Sequence, residues 1–460
     1  MTTTEAFRHD IQILVEAKDL RAVRARLIDL APVDAAELID GLTAQEQAIV
    51  FRILPRDLAT KTFEHLALES QERLLTTLGD ARFAVILNEM APDDRTALLE
   101  EFPAQASRKL LALLSKEERQ VALTLLGYPE GSVGRLMSPD YIAVEETWTV
   151  DDVLKFIRAH GADSDTLNVI YVVDKNGRLI DELRLRSILL SSPETGVGEL
   201  MNRVFVALHA TDDQEVAVGM FKKYDYVALP VIDSLGFILG VVTVDDVLDV
   251  AEEEATEDIQ KIGGMEALGE PYIKLSVGEL IRKRAIWLVV LFLGEMLTAT
   301  AMGFYEEQIK RQVMLALFIP LIISSGGNSG SQASTLVIRA LAIGEITLRD
   351  WWRVLRREFV AGGALGLILG TLGFVRIYFA PVLGESGHGE EWAHMAVAVG
   401  LSLVAVVLWG VLMGSMLPLL LKRLGADPAT SSAPFVATAV DVTGLVIYFT
   451  IASSILRHHL

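Results

Sequence analysis

Residues 320–342 read PLIISSGGNSGSQASTLVIRALA, inside an apolar run that extends over 313–341. A helix needs about 20 mostly apolar residues to cross a bilayer, whereas apolar runs in soluble core helices rarely exceed about 14. Four further runs meet the first condition, at 286–304, 359–380, 393–421 and 433–456. The chain has 460 residues, is 51% hydrophobic and has a mean hydropathy of +0.39, more apolar than an ordinary soluble protein and too long for one domain. The spacing predicts a membrane protein with five spanning helices.

Polar residues inside these runs are costly in lipid unless they face protein or water. In the second run, Pro320 and the Gly326–Gly327 pair loosen the helical ladder, and Asn328, Gln332 and Thr335 fall on one face. That stripe either lines a hydrophilic path or holds helices together. Asp441, in AVDVTGLVIYF, is a lone carboxylate in the fifth run, and Glu295 stands about three turns into the first without any motif. For each, the choice is between an ion contact and a buried pairing with a neighbouring helix. A single carboxylate with amide and hydroxyl oxygens suits Mg²⁺, which keeps several waters and is held by one or two carboxylates. Small residues, Gly362, Gly363, Gly366, Gly370, Gly410 and Gly414, are expected to let helices approach closely, within a chain or across a homodimer.

The net charge of −20 is unevenly spread. Residues 281–460 carry 14 Lys/Arg and 11 Asp/Glu, so residues 1–280 carry the remaining 27 and 50, a balance of −23. Such acidity argues against nucleic acid and for cations as ligands. With no cysteine, thiolate metal sites and thiol catalysis are excluded. No nucleophile–base pair or cofactor fingerprint suggests an enzyme. The start, MTTTEAFRHDIQ, lacks the features of a signal peptide. Ten basic residues border one side of the runs (Arg282, Lys283, Arg284, Arg339, Arg349, Arg353, Arg356, Arg357, Lys422, Arg423) and four the other (Lys310, Arg311, Arg376, Arg457). This predicts a cytosolic N-terminal region and an outside C-terminus.

Residues 1–130 read as successive helices. Three units, LIDLAPVDAAELIDGL (27–42), FRILPRDLATKTFEHL (51–66) and LNEMAPDDRTALLEEF (87–102), each end a helix, turn at Pro and supply Asp at the next start, as in a helical superhelix. From 131 to 258 short strands alternate with helices: LNVIYVVD (167–174) before KNGR and YVALPVID (226–233) before SLGF mark a duplication. This resembles a tandem pair of CBS domains, a module that often binds adenine nucleotides. The second copy has the family's ribose-binding spacing at Thr243 and Asp246, whereas the first has Arg184 and Ser187. The resemblance therefore makes ATP a possible ligand of the second copy. Beyond it, eight of the fourteen residues 245–258 are acidic, with Asp246, Asp249, Glu253 and Glu257 on one helical face. They form either a solvated connecting helix or a cation-sensitive coupling element.

Over nearly its whole length the chain resembles the MgtE family of magnesium transporters and channels, on PLIISSGGNSGSQASTLVIRALA, DPATSSAPFVATAVDVTGLVIY (427–448) and TVDDVLDVAEEEATEDI. The resemblance implies a multi-pass homodimer in lipid of the cell inner membrane, its pore between subunits. It divides the chain into a superhelical N domain (1–130), first and second CBS domains (131–198, 199–258), a connecting plug helix (259–284) and a five-helix transmembrane pore domain (285–460). Asp441 matches the family's pore aspartate and Asn328 its G-G-N. Cytosolic Mg²⁺ sites are implied at Asp93, Asp94, Asp246, Asp249, Glu254, Glu257 and Asp258. Ala433 departs from the Asn common before this Pro. The implied function is Mg²⁺-selective uptake gated by cytosolic Mg²⁺. Two alternatives stay open: a broader carrier of divalent ions such as Mn²⁺ or Co²⁺, and a membrane-anchored metal or nucleotide sensor that conducts nothing.

Overall fold

The computed structural model describes residues 3–102, 104–268, 272, 275–311, 313–379 and 389–456. They divide into two compact units, Met1–Ala251 and Glu252–Leu460.

In the first unit, ten helices run from Thr3–Glu16 to Lys116–Leu125. Their joints lie where Pro interrupts the pattern: Pro32 and Pro92 open helices Pro32–Asp40 and Pro92–Glu101, and Pro55 caps Arg56–Glu64. Asp34, Asp57, Asp93 and Asp94 occupy the first turns, where the helix dipole favours a negative charge. Phe51, Phe63 and Phe83 stack edge to face through the buried core, with ring centroids 6.1 and 5.3 Å apart. Burying each is worth about 1.5–3 kcal/mol.

The duplication is visible strand by strand. β1 (Ala143–Glu145), β2 (Val169–Val173) and β3 (Leu179–Arg184) form one sheet, and β4 (Leu208–His209), β5 (Ala228–Ile232) and β6 (Ile238–Thr243) the other. In each, the first pairing is parallel and the second antiparallel. The offset is 59 residues for both hairpin strands (228 − 169 and 238 − 179). Each hairpin turn uses a left-handed glycine, Gly177 (φ 87°) and Gly236 (φ 86°), with Asp174 and Asp233 accepting backbone bonds before it.

The two copies exchange their leading segments. Val133 and Met137 join the second copy's core, where Ser138 and Val241 trade backbone hydrogen bonds at 2.8 Å. Val197 joins the first copy's core, and Asp181 accepts from the backbones of Asn202 and Arg203 at 2.7 and 2.8 Å. Sequence boundaries between the copies are thus not boundaries in space.

The connecting helix expected over 259–284 is placed differently. One helix runs from Val244 to Ile262, beginning directly after the last strand of the second copy, and the next begins at Val277. A Gly263–Gly264 pair, with Gly264 at φ 74°, ends the former. Residues 269–271, 273 and 274 of that expected segment lie outside the described residues, as does Arg457.

The second unit holds five helices long and apolar enough to cross a membrane. Numbered first to fifth below, they are Val277–Phe304, Val313–Ala342, Trp351–Tyr378, Gly389–Arg423 and Ala433–Leu456. Their glycines pack within the chain. A Cβ on Gly366 would lie 2.8 Å from the Val404 carbonyl, and one on Gly370 2.7 Å from that of Gly400. Gly410 and Gly414 likewise press on the carbonyls of Gly326 and Gly330. Gly363 faces open space and takes no part. Tyr448 donates to the Leu315 carbonyl at 2.9 Å, fastening the fifth helix to the second.

Candidate functional site

In the membrane unit the polar residues of the second helix separate into two sets. Ser331 and Ser334 donate to the carbonyls of Ala433 and Ser431, each at 2.9 Å, and so hold the start of the fifth helix. Asn328, Gln332 and Thr335 instead remain exposed, with Asn328 reaching only Ser324 at 3.4 Å. Helix-to-helix bonding within the chain is therefore the work of the serines and not of the predicted stripe. Thr443, beside Asp441, accepts from Trp409 Nε1 at 2.8 Å and ties the fifth helix to the fourth.

Asp441 lies half-buried against the second helix, where a Cβ on Gly327 would sit 3.5 Å from its Oδ1. Its side chain also meets that of Glu295 from the first helix, within hydrogen-bonding reach. Gly294 brings the helices close there, since a Cβ on it would stand 2.6 Å from Thr438 Cγ2. Two carboxyls and an exposed amide face thus converge from three helices. Glu295 had no sequence signal beyond being charged in an apolar run.

The carboxylates outside the spanning helices gather in two places. In the first unit Asp93 and Asp94, from the N domain, face Asp246 and Asp165 of the CBS pair, with Glu64 and Asp245 close by. Burial, then the charges of Asp246, Asp165 and Asp94, holds the Asp93 carboxyl well above the ordinary range. Burial and then Glu64 lift Asp94 to about 7, and burial lifts Asp246 to about 6 despite its bonds to Thr243. Arg95 does not relieve this charge, because it is turned inward to Glu118 and the Leu87 carbonyl. Asp93 is 8% exposed, and its Oδ1 has no hydrogen-bond partner among the described residues. An orphaned carboxylate oxygen amid like charges suits a cation. Among the described residues no three His, Asp or Glu side chains stand ready to ligate a metal directly. The arrangement fits Mg²⁺ that retains its waters.

In the second unit Asp258, with Glu254 and Glu257 nearby, approaches Asp427, and burial followed by Asp427 raises its pKa. Lys261 bonds to Asp427 at 2.7 Å and pairs with Glu257. Burial pulls the Lys261 ammonium down, but the bonds to Asp427 and Glu257 outweigh it and the net shift is upward. A fixed cation thus already occupies part of this acidic group. Asp249 lies on the same helix, exposed, in the first unit.

Thr243 and Asp246, expected at a ribose, contact each other. Asp246 accepts from the Thr243 hydroxyl at 2.7 Å and from its backbone N–H at 3.3 Å, and its neighbours are anionic. A cavity of about 940 Å³ opens at the corresponding place in the first copy. It is lined by Asn168, Glu182, Arg184, Ser187 and, from the second copy, Asp225 and Tyr226. Arg184 and Ser187 are the residues 59 positions before Thr243 and Asp246.

Residues 30–131 match the MgtE intracellular N domain, 133–193 and 197–253 the CBS domain, and 319–451 the divalent cation transporter family MgtE. The chain is 40% identical over 451 residues to the magnesium transporter MgtE of Thermus thermophilus, covering 97% of this chain and 98% of that one. It is 28% identical to the protein of that name from Bacillus subtilis over 99% of both. Among solved structures, the cytosolic domain of the Mg²⁺ channel MgtE in complex with ATP superposes with a TM-score of 0.50 at 38% identity, over 53% of this chain and 99% of that one. The soluble part of a magnesium transporter gives 0.52 at 24% identity, over 55% and 99%.

Proposed function

The chain belongs to the MgtE family of magnesium transporters and moves Mg²⁺ across the membrane, and from that premise we propose that the ion passes Asp441, Glu295 and the Asn328 face and is gated from the cytosolic half. The observation that carries this reading is the convergence of Asp441, Gly327 and Glu295 from three apolar helices. A pore residue must be polar, accessible and backed by helices that leave room, and Gly327 leaves that room. The stripe of Asn328, Gln332 and Thr335 would complete the path against a second copy of the chain, in a homodimer of the inner membrane with its N-terminus cytosolic. Hydrated Mg²⁺ suits amide and hydroxyl oxygens that order its water shell without trapping the ion. Uptake into liposomes carrying the purified protein should be faster for Mg²⁺ than for Mn²⁺, Co²⁺ or Ca²⁺. Equal rates for all four would favour the broader divalent carrier.

Gating rests on the acidic groups at Asp93, Asp94 and Asp246 and at Glu254, Glu257, Asp258 and Asp427. Without divalent ions like charges face one another; with them, the N domain and CBS pair are drawn together and the helix ending at Ile262 is fixed. Asp249 contributes to the same acidic face.

ATP is assigned to the first-copy cavity. A triphosphate is repelled beside Asp93, Asp94 and Asp246, whereas Arg184 offers a guanidinium for bidentate phosphate contact, in a space within the usual range of ligand pockets. Calorimetry with ATP should give one site per chain, weakened about tenfold or more by Arg184→Ala, on the scale of one lost charged hydrogen bond, and unaffected by Thr243→Val. Two equivalent sites per chain, or loss with Thr243→Val alone, would return the nucleotide to the second copy.

A further inference from the structure

The third membrane helix begins with an unusual load of positive charge. Residues 349–358 read RDWWRVLRRE, four arginines against two carboxylates. Cations at a helix start are disfavoured by the dipole, which is itself positive there. Asp350 is engaged with Arg353 at 3.0 Å and with the Thr347 hydroxyl at 2.9 Å, while Glu358 lies beside Arg357. Among the described residues Arg356 and Arg357 form no ion pair. A groove of about 680 Å³ runs along this face, lined by Trp352, Arg353, Arg356 and Arg357 at its upper end and by Val360, Ala361 and Ala364 below. From Arg356 to Ala364 is roughly 12 Å along the helix axis. The groove therefore reaches from the depth of lipid headgroups into that of acyl chains.

We propose that this groove binds one anionic phospholipid, its phosphate held by Arg356 and Arg357 and one acyl chain laid over Ala361 and Ala364. Guanidinium forks bind phosphate bidentately, more selectively than a point charge would. Trp352 and Trp351, 61% and 52% exposed, belong where aromatic rings anchor at the membrane surface. Alanines where leucines would fill the groove leave space for a chain, and Val360, 66% exposed, extends an apolar wall beside it. The combination of fixed charge above and small apolar residues below fits a molecule that is itself an anion joined to a hydrocarbon. A free phosphate would use only the upper half.

The test uses the full-length protein reconstituted in phosphatidylcholine with graded phosphatidylglycerol, then released for native mass spectrometry, which reads bound lipid and oligomeric mass together. Phosphatidylglycerol should be retained over phosphatidylcholine. Retention should weaken roughly tenfold to thirtyfold in R356A/R357A, taking about 1 kcal/mol for each basic residue near an anionic surface. R356K/R357K, which keeps the charge and so secures insertion, should fall between, because it loses the fork. Ala364→Leu should weaken retention with every charge intact. Inorganic phosphate at millimolar concentration should not displace the lipid. The proposal is overturned if the parent shows no preference for phosphatidylglycerol, if Ala364→Leu and both arginine variants retain it unchanged, or if inorganic phosphate competes. A change of oligomeric mass with lipid retention unaltered would also overturn it, and would make this face a contact between copies.

Discussion

Asp441→Ala is expected to abolish Mg²⁺ flux in reconstituted liposomes while the protein still folds and assembles. The carboxyl's one side-chain partner among the described residues is Glu295, a like-charged group, and beside it lies the bare backbone of Gly327. The helix is fastened elsewhere, by Tyr448 to Leu315, Trp409 to Thr443, and Ser331 and Ser334 to its first turn. Removing Asp441 should thus cost little packing but take away a charge that attracts the hydrated divalent ion into an apolar setting, a loss of several kcal/mol at low dielectric and flux reduced by about a hundredfold or more. Glu295→Gln should reduce flux less, since the amide keeps an oxygen on the path. Asp441→Ala with parental flux, measured beside an unchanged elution profile, would remove Asp441 from the ion path.

The second large effect expected is a coupling of pH and Mg²⁺ at the acidic group of the first unit. A carboxyl with a raised folded pKa holds its proton more tightly folded than unfolded. Its favourable contribution is complete below about pH 4 and is lost as pH rises through the folded value. With Asp246 at about 6, Asp94 at about 7 and Asp93 also raised, association of the N domain with the CBS pair weakens between about pH 4 and 7 in the absence of divalent ions. The rise of Asp246 from 3.8 to about 6 amounts to roughly 3 kcal/mol before solvent screening. Asp94 is exposed as a residue although its carboxyl is crowded by Glu64, Asp246 and Asp165, so its share is discounted. In chelator, hydrogen exchange of residues 92–101 and 244–250 in the full-length protein should speed up from pH 5.5 to 8 beyond its intrinsic pH dependence. Millimolar Mg²⁺ should suppress it at pH 8 and do little at pH 5.5. Asp93→Asn, Asp94→Asn and Asp246→Asn together should give slow exchange at both pH values without Mg²⁺. An undiminished Mg²⁺ response in that triple variant would place the sensing elsewhere.

Much of this was legible before any coordinates. Five spanning helices follow from five apolar runs, because a backbone in lipid must satisfy its own hydrogen bonds and only long helices do so. Pro32, Pro55 and Pro92 mark helix joints because proline fits a first turn and interrupts a helix interior. The duplicated strands announce themselves by alternating with turns that need glycine at Gly177 and Gly236. Asp441 stood out for a similar reason: a carboxylate inside an apolar helix is too costly in lipid to stand there without a partner or a water-filled path. All of these are statements about a residue and its near neighbours in the chain, where a periodicity or a local steric rule is enough.

What only the tertiary structure decided is which distant residues meet. Glu295 became part of a site because Gly294 lets its helix approach Thr438, and no periodicity encodes that approach. Glu64, Asp165 and Asp245 joined Asp93, Asp94 and Asp246 because the N domain lies on the CBS pair there, and Asp427 met Lys261 from 166 residues away. Asp246 accepts from Thr243 at a helix start among carboxylates, and a cavity lined by residues of both copies opens beside Arg184. Local sequence sets the backbone's period and its breaks, whereas burial and the proximity of charges, which determine proton and ion affinity, arise only when separate segments exclude water together.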